Sequence, residues 1–109
     1  MLQQKLFNCS FQLQYEHPNG KIYQGDSIDW LKSLPDSSAH LVFADPPYNL
    51  KKADWDNFKS QENYIVWSIK WISQVARILK PTGSLYICGF SEILGACRDN
   101  HYKDFYCTM

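Results

Sequence analysis

The sequence predicts an α/β fold with a mostly parallel sheet. Two apolar, strand-like runs, residues 41–44 and 84–88, lie on either side of a long helical pattern over residues 61–79. A strand, a helix and a second strand in that order are typical of parallel strands joined by a right-handed crossover. The chain has 109 residues, of which 45% are hydrophobic, so we expect one small globular domain.

The first part of the chain carries weaker signals. Residues 1–20 are polar with scattered aromatic side chains, and we expect an N-terminal extension there, followed by a domain over residues 21–109. Residues 18–20 (PNG) predict a turn and residues 21–24 a short strand. Asp26 or Ser27 then caps a helix, whose apolar face is formed by Ile28, Leu31 and Leu34.

The central part predicts a buried strand followed by a long helix. Residues 41–44 (LVFA) are a continuous apolar run, typical of a strand buried on both faces. Residues 49–60 show no periodicity and predict a loop. Between residues 61 and 79, large side chains recur at spacings of three and four, as in a helix that packs on a core: Tyr64, Trp67, Trp71, Val75 and Ile78. We expect both tryptophans to pack in the core.

The helix and the last strand are bounded by glycine and proline. Pro81 and Gly83 predict the end of the helix, and Gly89 ends the strand over residues 84–88. Residues 91–100 favour a further helix. In parallel sheets ligands bind beyond the carboxyl ends of the strands, which is where Asp26, Asp45 and Gly89 fall.

The sharpest signal is the D-P-P-Y segment (residues 45–48). A given tetrapeptide occurs by chance on the order of 10⁻⁵ per position, and an ordinary turn explains the aspartate and one proline only. Pro46 and Pro47 fix φ and remove two N–H donors, so the segment presents carbonyl acceptors next to the Asp45 carboxylate. Tyr48 offers a ring on which a base can stack. Two acceptors and a ring suit an amino-bearing base taken out of its helix.

Taken with its context, this segment resembles the DNA adenine-N6 and cytosine-N4 methyltransferases. The sequence is similar to the N-terminal part of their circularly permuted subgroup, in which the D-P-P-Y motif precedes the cofactor motif. Asp rather than Ser at position 45 resembles the adenine-specific members. The similarity extends over further stretches, namely residues 25–27 (GDS), 34–36 (LPD), 55–56 (WD), 77–81 (RILKP) with Gly83, and 85–87 (LYI).

The resemblance implies a Rossmann-like, S-adenosylmethionine-dependent fold and a mechanism. Asp45 and the Pro46 carbonyl would accept hydrogen bonds from the amino group of a flipped adenine, and Tyr48 would stack on the base. Asp26, Ser27 and Asp45 would contact the cofactor. Asp26 is equally well explained as a helix N-cap. Trp55 and Asp56 favour a loop anchor, and Lys51 and Lys52 a solvated surface pair, over contacts with DNA.

Composition narrows the class of protein. The eleven basic residues are balanced by eleven acidic ones. A domain that binds DNA by itself is usually basic, so we do not expect this segment to hold DNA by itself. The four cysteines lack C-x-x-C spacing and the histidines add no metal pattern, so we expect free thiols and no metal. With neither a signal peptide nor a membrane span, we expect a cytoplasmic protein.

The sequence departs from the family in one respect: it has no F-x-G-x-G segment, the glycine-rich turn that holds the cofactor's methionine part. We therefore expect an incomplete methyltransferase domain, completed by a C-terminal half or a second chain. Two alternatives stay open. One is a non-catalytic remnant or partner-binding fragment, and the other is a cytosine-N4 or other amino-methyltransferase.

Overall fold

The computed structural model describes residues 10–48 and 58–89, which contain four strands and two helices. In chain order these are β1 (Phe11–His17), β2 (Gly20–Gly25), α1 (Ser27–Ser33), β3 (Ala39–Ala44), α2 (Gln61–Ile78) and β4 (Leu79–Ile87). The helix that we predicted over residues 91–100 lies outside the described residues. Neither α1 nor α2 is both long enough and apolar enough to cross a membrane.

The predicted parallel crossover is confirmed, because β3 pairs in parallel with β4 and α2 connects them. Strand β4 starts five residues earlier than the predicted strand. Leu79 pairs with Ala39, the register then shifts, and Ser84 pairs with Leu41. Residues 80–83, where we expected a break, are therefore accommodated as an irregularity of the ladder, which tolerates a proline without an N–H group.

Strand β1 was not predicted. It pairs antiparallel with β2, so a hairpin spans the boundary that we drew at residue 20. Its turn lies where the sequence predicts one. The described strands therefore form two separate two-stranded sheets, β1–β2 and β3–β4, and only the second fits the expected parallel sheet. Every residue of β2 is exposed. Residues 11–16 (FQLQYE) do alternate between apolar and polar side chains, which is the pattern of a strand, so the sequence contained a signal for β1.

The core lies between the two helices and one face of the β3–β4 sheet. Its buried residues are Leu31, Trp71, Ile72, Val75 and Ile78. The predicted core position of Trp71 is confirmed, and Trp67 is half-buried against the same cluster. Burial of these side chains is the main stabilising term, at about 25 cal/mol per Å² of apolar surface.

The second face of the β3–β4 sheet is exposed in the described part of the chain. Leu41 is 58% exposed and Phe43 is 70% exposed, and Tyr86, which pairs with Phe43 on β4, is 57% exposed. The expectation that residues 41–44 are buried on both faces is therefore wrong for the described residues. The opposite face carries Val42, Ala44, Leu85 and Ile87, which pack against the core cluster.

Arg77 joins the end of α2 to the end of α1. Its Nη1 donates to the Leu34 carbonyl and its Nη2 to the Leu31 carbonyl, both at 2.8 Å. The Leu31 carbonyl also accepts from the Leu34 N–H at 3.1 Å, so Arg77 is a second donor to Leu31 and a donor to Leu34 at the carboxyl end of α1, where carbonyls lack their usual helical partners. Nη1 also lies 2.6 Å from Asp36 Oδ1. The turn that leads into β3 is thereby attached to α2.

Candidate active site

The D-P-P-Y segment begins at the carboxyl end of β3. The Cys88 N–H donates to the Ala44 carbonyl at 2.9 Å, so β3 and β4 stay side by side as far as Asp45. Asp45 is exposed, whereas the other three residues of the segment are half-buried. The Asp45 carboxylate therefore lies at the end of a parallel strand, exposed to solvent and followed by two conformationally restricted prolines. In this position it can accept hydrogen bonds from a ligand.

Tyr48 and Asp45 are in direct contact. The Tyr48 hydroxyl donates a hydrogen bond to Asp45 Oδ1. This bond, with smaller contributions from burial, the Asp45 charge and Cys88, raises the pKa of Tyr48 to about 12. Tyr48 is therefore protonated at neutral pH and acts as a donor. The structure thus brings together the predicted acceptor and the predicted stacking ring, with the acceptor engaged by the hydroxyl of that ring.

A residue that we had assigned only to a helix face also contacts the segment. Tyr64, in the first turn of α2, donates its hydroxyl to the Pro47 carbonyl at 2.5 Å. Its side chain is buried at 4% exposure. The signal that could have revealed this contact is chemical, since a buried tyrosine hydroxyl needs a polar partner and the rest of that helix face is mainly apolar.

Asp26 and Ser27 lie at the end of β2. Asp26 Oδ1 accepts from the Asp29 N–H at 3.0 Å, which is the geometry of a helix N-cap. Both residues also line an open cavity of about 300 Å³ beside the hairpin. The cavity is otherwise lined by Phe11, Lys21, Ile22, Tyr23, Gly25 and Trp30. Residues 45–48 are not among the lining residues of this cavity.

Several predicted features fall outside the described residues. These are Asn49, Lys51, Lys52, Trp55 and Asp56. Among residues 10–48 and 58–89, no three His, Cys, Asp or Glu side chains are grouped so that they could hold a metal ion.

Comparison with known proteins places this geometry in context. The sequence profile of a family described as DNA methylase, of the N6/N4 type, matches residues 39–107. The chain is 43% identical over 72 residues to the type II methyltransferase M.BamHI of Bacillus amyloliquefaciens, and 43% identical over 67 residues to M1.MboII of Moraxella bovis. It is 42% identical over 71 residues to M.BglII of Bacillus subtilis.

These similarities cover much of this chain but little of each relative. They extend over 62%, 62% and 65% of this chain, and over 17%, 26% and 19% of M.BamHI, M1.MboII and M.BglII respectively. The chain therefore spans about a quarter or less of the length of these relatives. The family match begins at Ala39 and includes β3, the D-P-P-Y segment, α2 and β4.

Proposed function

The chain belongs to the N6/N4 DNA methylase family, and on that premise we propose that the protein methylates the N6 amino group of an adenine flipped out of DNA. S-adenosylmethionine would be the methyl donor, and the setting would be a restriction–modification or an orphan methylation system. The observation that carries the proposal is the exposed Asp45 carboxylate at the end of β3, which accepts a hydrogen bond from the Tyr48 hydroxyl.

The base would enter by replacing a contact that the segment makes with itself. In the structure the Tyr48 hydroxyl donates to Asp45 Oδ1. An exocyclic amino group offers two N–H donors, which Asp45 and the Pro46 carbonyl would accept once Tyr48 has moved aside. The Tyr48 ring would then stack on the base, a contact worth about 1–3 kcal/mol at comparable sites.

These residues would orient the amino nitrogen. Two accepted hydrogen bonds hold its hydrogens in fixed directions and favour a lone pair that is out of conjugation with the ring. In the transfer, that lone pair would form the new carbon–nitrogen bond as the methyl carbon–sulfur bond breaks. The nitrogen would then lose one proton to Asp45 or to water. Orientation of the amino group and the methyl donor would be the protein's main contribution to the rate of transfer.

Asp26, Ser27 and Asp45 would hold the cofactor. The cavity that Asp26 and Ser27 line contains an exposed carboxylate and the Trp30 ring, which suit the hydroxyls and the flat base of a nucleoside. Capping of α1 uses one acceptor position of the Asp26 carboxylate, and a carboxylate has about four. S-adenosylmethionine would supply an activated methyl group on a sulfonium.

We also propose that residues 21–109 form the catalytic half of a larger Rossmann-like domain. In this arrangement β2 and β3 belong to one sheet, with two strands from another part of the protein between them. The separate pairing of β2 and β3 and the uncovered face around Phe43 support this proposal, since strands of a parallel sheet are normally covered on both faces.

The test is the identity of the methylated nucleoside. The protein is expressed from its own gene with its natural flanking sequence and incubated with DNA and isotopically labelled S-adenosylmethionine, and the DNA is then digested for mass spectrometry. The proposal expects labelled N6-methyladenine. Label found only in N4-methylcytosine would move the assignment to the cytosine-specific members, and absence of any label would overturn it.

A further inference from the structure

We propose that Tyr64 is a positioning residue for the methyl transfer. Its hydroxyl fixes the peptide group between Pro47 and Tyr48, and this peptide group sets the direction of the Tyr48 side chain relative to Asp45. The inference rests on the proposed function, because it assigns Tyr64 a role in presenting the D-P-P-Y segment to a base. Nothing in the sequence motif itself includes Tyr64, which lies 17 residues beyond Pro47.

The contact is short and buried. The Tyr64 hydroxyl lies 2.5 Å from the Pro47 carbonyl oxygen, at the short end of the range for O–H···O hydrogen bonds. The Tyr64 side chain is only 4% exposed, so little water is available to replace the bond. Removal of the hydroxyl would leave a half-buried carbonyl acceptor without this donor.

Tyr64 is itself held in place by aromatic packing. Its ring meets that of Phe58 edge-on with centroids 4.9 Å apart, and lies 6.0 Å from the Trp67 ring. The helix that carries it is capped by Ser60, whose side chain accepts from the Asn63 N–H at 3.1 Å. The hydroxyl therefore has a defined position, as a group that orients a functional segment requires.

The D-P-P-Y segment needs an external attachment of this kind. Pro46 and Pro47 have no N–H groups, so neither can donate to a strand ladder or a turn. The Pro47 carbonyl and the Tyr48 N–H belong to one planar peptide group, and a hydrogen bond to the carbonyl restrains that plane. The bond also uses one of the two acceptor positions of the Pro47 carbonyl oxygen.

The kinetic test removes the hydroxyl and retains the ring. We compare the wild-type gene product with its Tyr64→Phe and Tyr15→Phe variants, the latter removing a hydroxyl from an exposed residue of β1. A misplaced reacting group costs between about ten- and a hundredfold in rate, so Tyr64→Phe should lower kcat by at least about tenfold. KM for DNA and for S-adenosylmethionine should stay within about twofold, and Tyr15→Phe should match wild type.

An unchanged kcat in Tyr64→Phe, or a rise in KM alone, would overturn the positioning role. A rise in KM alone would mean that the hydroxyl contributes only to uniform binding. A loss of kcat of the same size in Tyr15→Phe would overturn it too, because the effect would then not depend on the contact with Pro47.

A second measurement does not depend on methyl transfer. Tyr48 carries the first N–H after the two prolines, so the ¹⁵N relaxation of its amide reports on the restrained peptide group. The order parameter should be about 0.85 in the wild-type protein and fall toward about 0.6 in Tyr64→Phe. Equal order parameters would overturn the proposal. If the wild type transfers no methyl group, the proposed function fails, and this measurement still decides whether Tyr64 holds the segment.

Discussion

Arg77 provides the sharpest test of how the two helices are held together. Arg77→Ala removes the donors to the Leu31 and Leu34 carbonyls. A hydrogen bond to a charged group contributes about 1.5–3 kcal/mol, and we use the lower value because the Arg77 side chain is 31% exposed. The two bonds then sum to about 3 kcal/mol. The ion pair with Asp36 adds under about 1 kcal/mol, since that side chain is 77% exposed.

The assay is thermal unfolding followed by circular dichroism, with Asp36→Asn as the matched control. At about 4–8 °C per kcal/mol for a domain of this size, Arg77→Ala should lower Tm by at least about 12 °C. Asp36→Asn, which removes the charge of the partner and leaves both carbonyl bonds in place, should lower Tm by less than about 8 °C. Equal losses in the two variants would refute the reasoning, because the exposed ion pair would then account for the whole effect.

Three further outcomes are expected. Asp45→Ala should return the pKa of Tyr48 from about 12 toward 10.0. The pKa is measured from the tyrosinate absorbance as a function of pH, and the part due to Tyr48 is identified by its loss in Tyr48→Phe. Because folding raises this pKa, the bond stabilises the folded state fully below pH 10, and this stabilisation is lost as pH rises through about 12. An unchanged Tyr48 titration in Asp45→Ala would contradict the Tyr48–Asp45 bond. Gly25→Ala should lower the free energy of unfolding by about 2 kcal/mol, since Gly25 has a φ of +144° and a Cβ there would lie 2.2 Å from the Ser10 carbonyl oxygen. Gly20→Ala, where a Cβ meets nothing within 4 Å, is the control, and equal denaturation midpoints would count against the argument. Phe43→Glu should reduce self-association of the 109-residue polypeptide in sedimentation velocity, because Phe43 is 70% exposed on an apolar sheet face; undiminished association would exclude that face as the cause.

Elements with a strong local period could be predicted from the sequence. The long helix was expected over residues 61–79 and is found at Gln61–Ile78. The parallel crossover followed from a buried-type strand on either side of that helix. For α2 one segment carries the whole signal, since its apolar face repeats over about five turns and the helix ends before Pro81 and Gly83.

Features that depend on distant parts of the chain could not be predicted. The β1–β2 hairpin is a different case, because Phe11, Leu13 and Tyr15 alternate with polar residues and this strand pattern was missed. The early start of β4 depends on pairing with β3, which overrides the local preference of residues 80–83. At the site, the D-P-P-Y segment was identifiable by its residues. The hydroxyl of Tyr64 was not, because the helical period predicts that a side chain is buried and does not specify its polar partner.

Asp45 is proposed to accept a hydrogen bond from the amino group that becomes methylated. The direct measurement is methyl transfer to DNA by the protein expressed from its own gene, for wild type, Asp45→Ala and the control Asp36→Asn. Asp45 is exposed and lies outside the core, so its loss should leave the fold intact. Binding of S-adenosylmethionine is followed in parallel by titration calorimetry.

Asp45→Ala should lower the rate of transfer by about a hundredfold or more, since a preorganised group at the reacting centre is lost. Its affinity for S-adenosylmethionine should stay within about threefold of wild type, a difference of under about 1 kcal/mol, and Asp36→Asn should transfer methyl groups at the wild-type rate. Transfer by Asp45→Ala at the wild-type rate would contradict the claim, because the amino group would then be held by residues other than the D-P-P-Y segment.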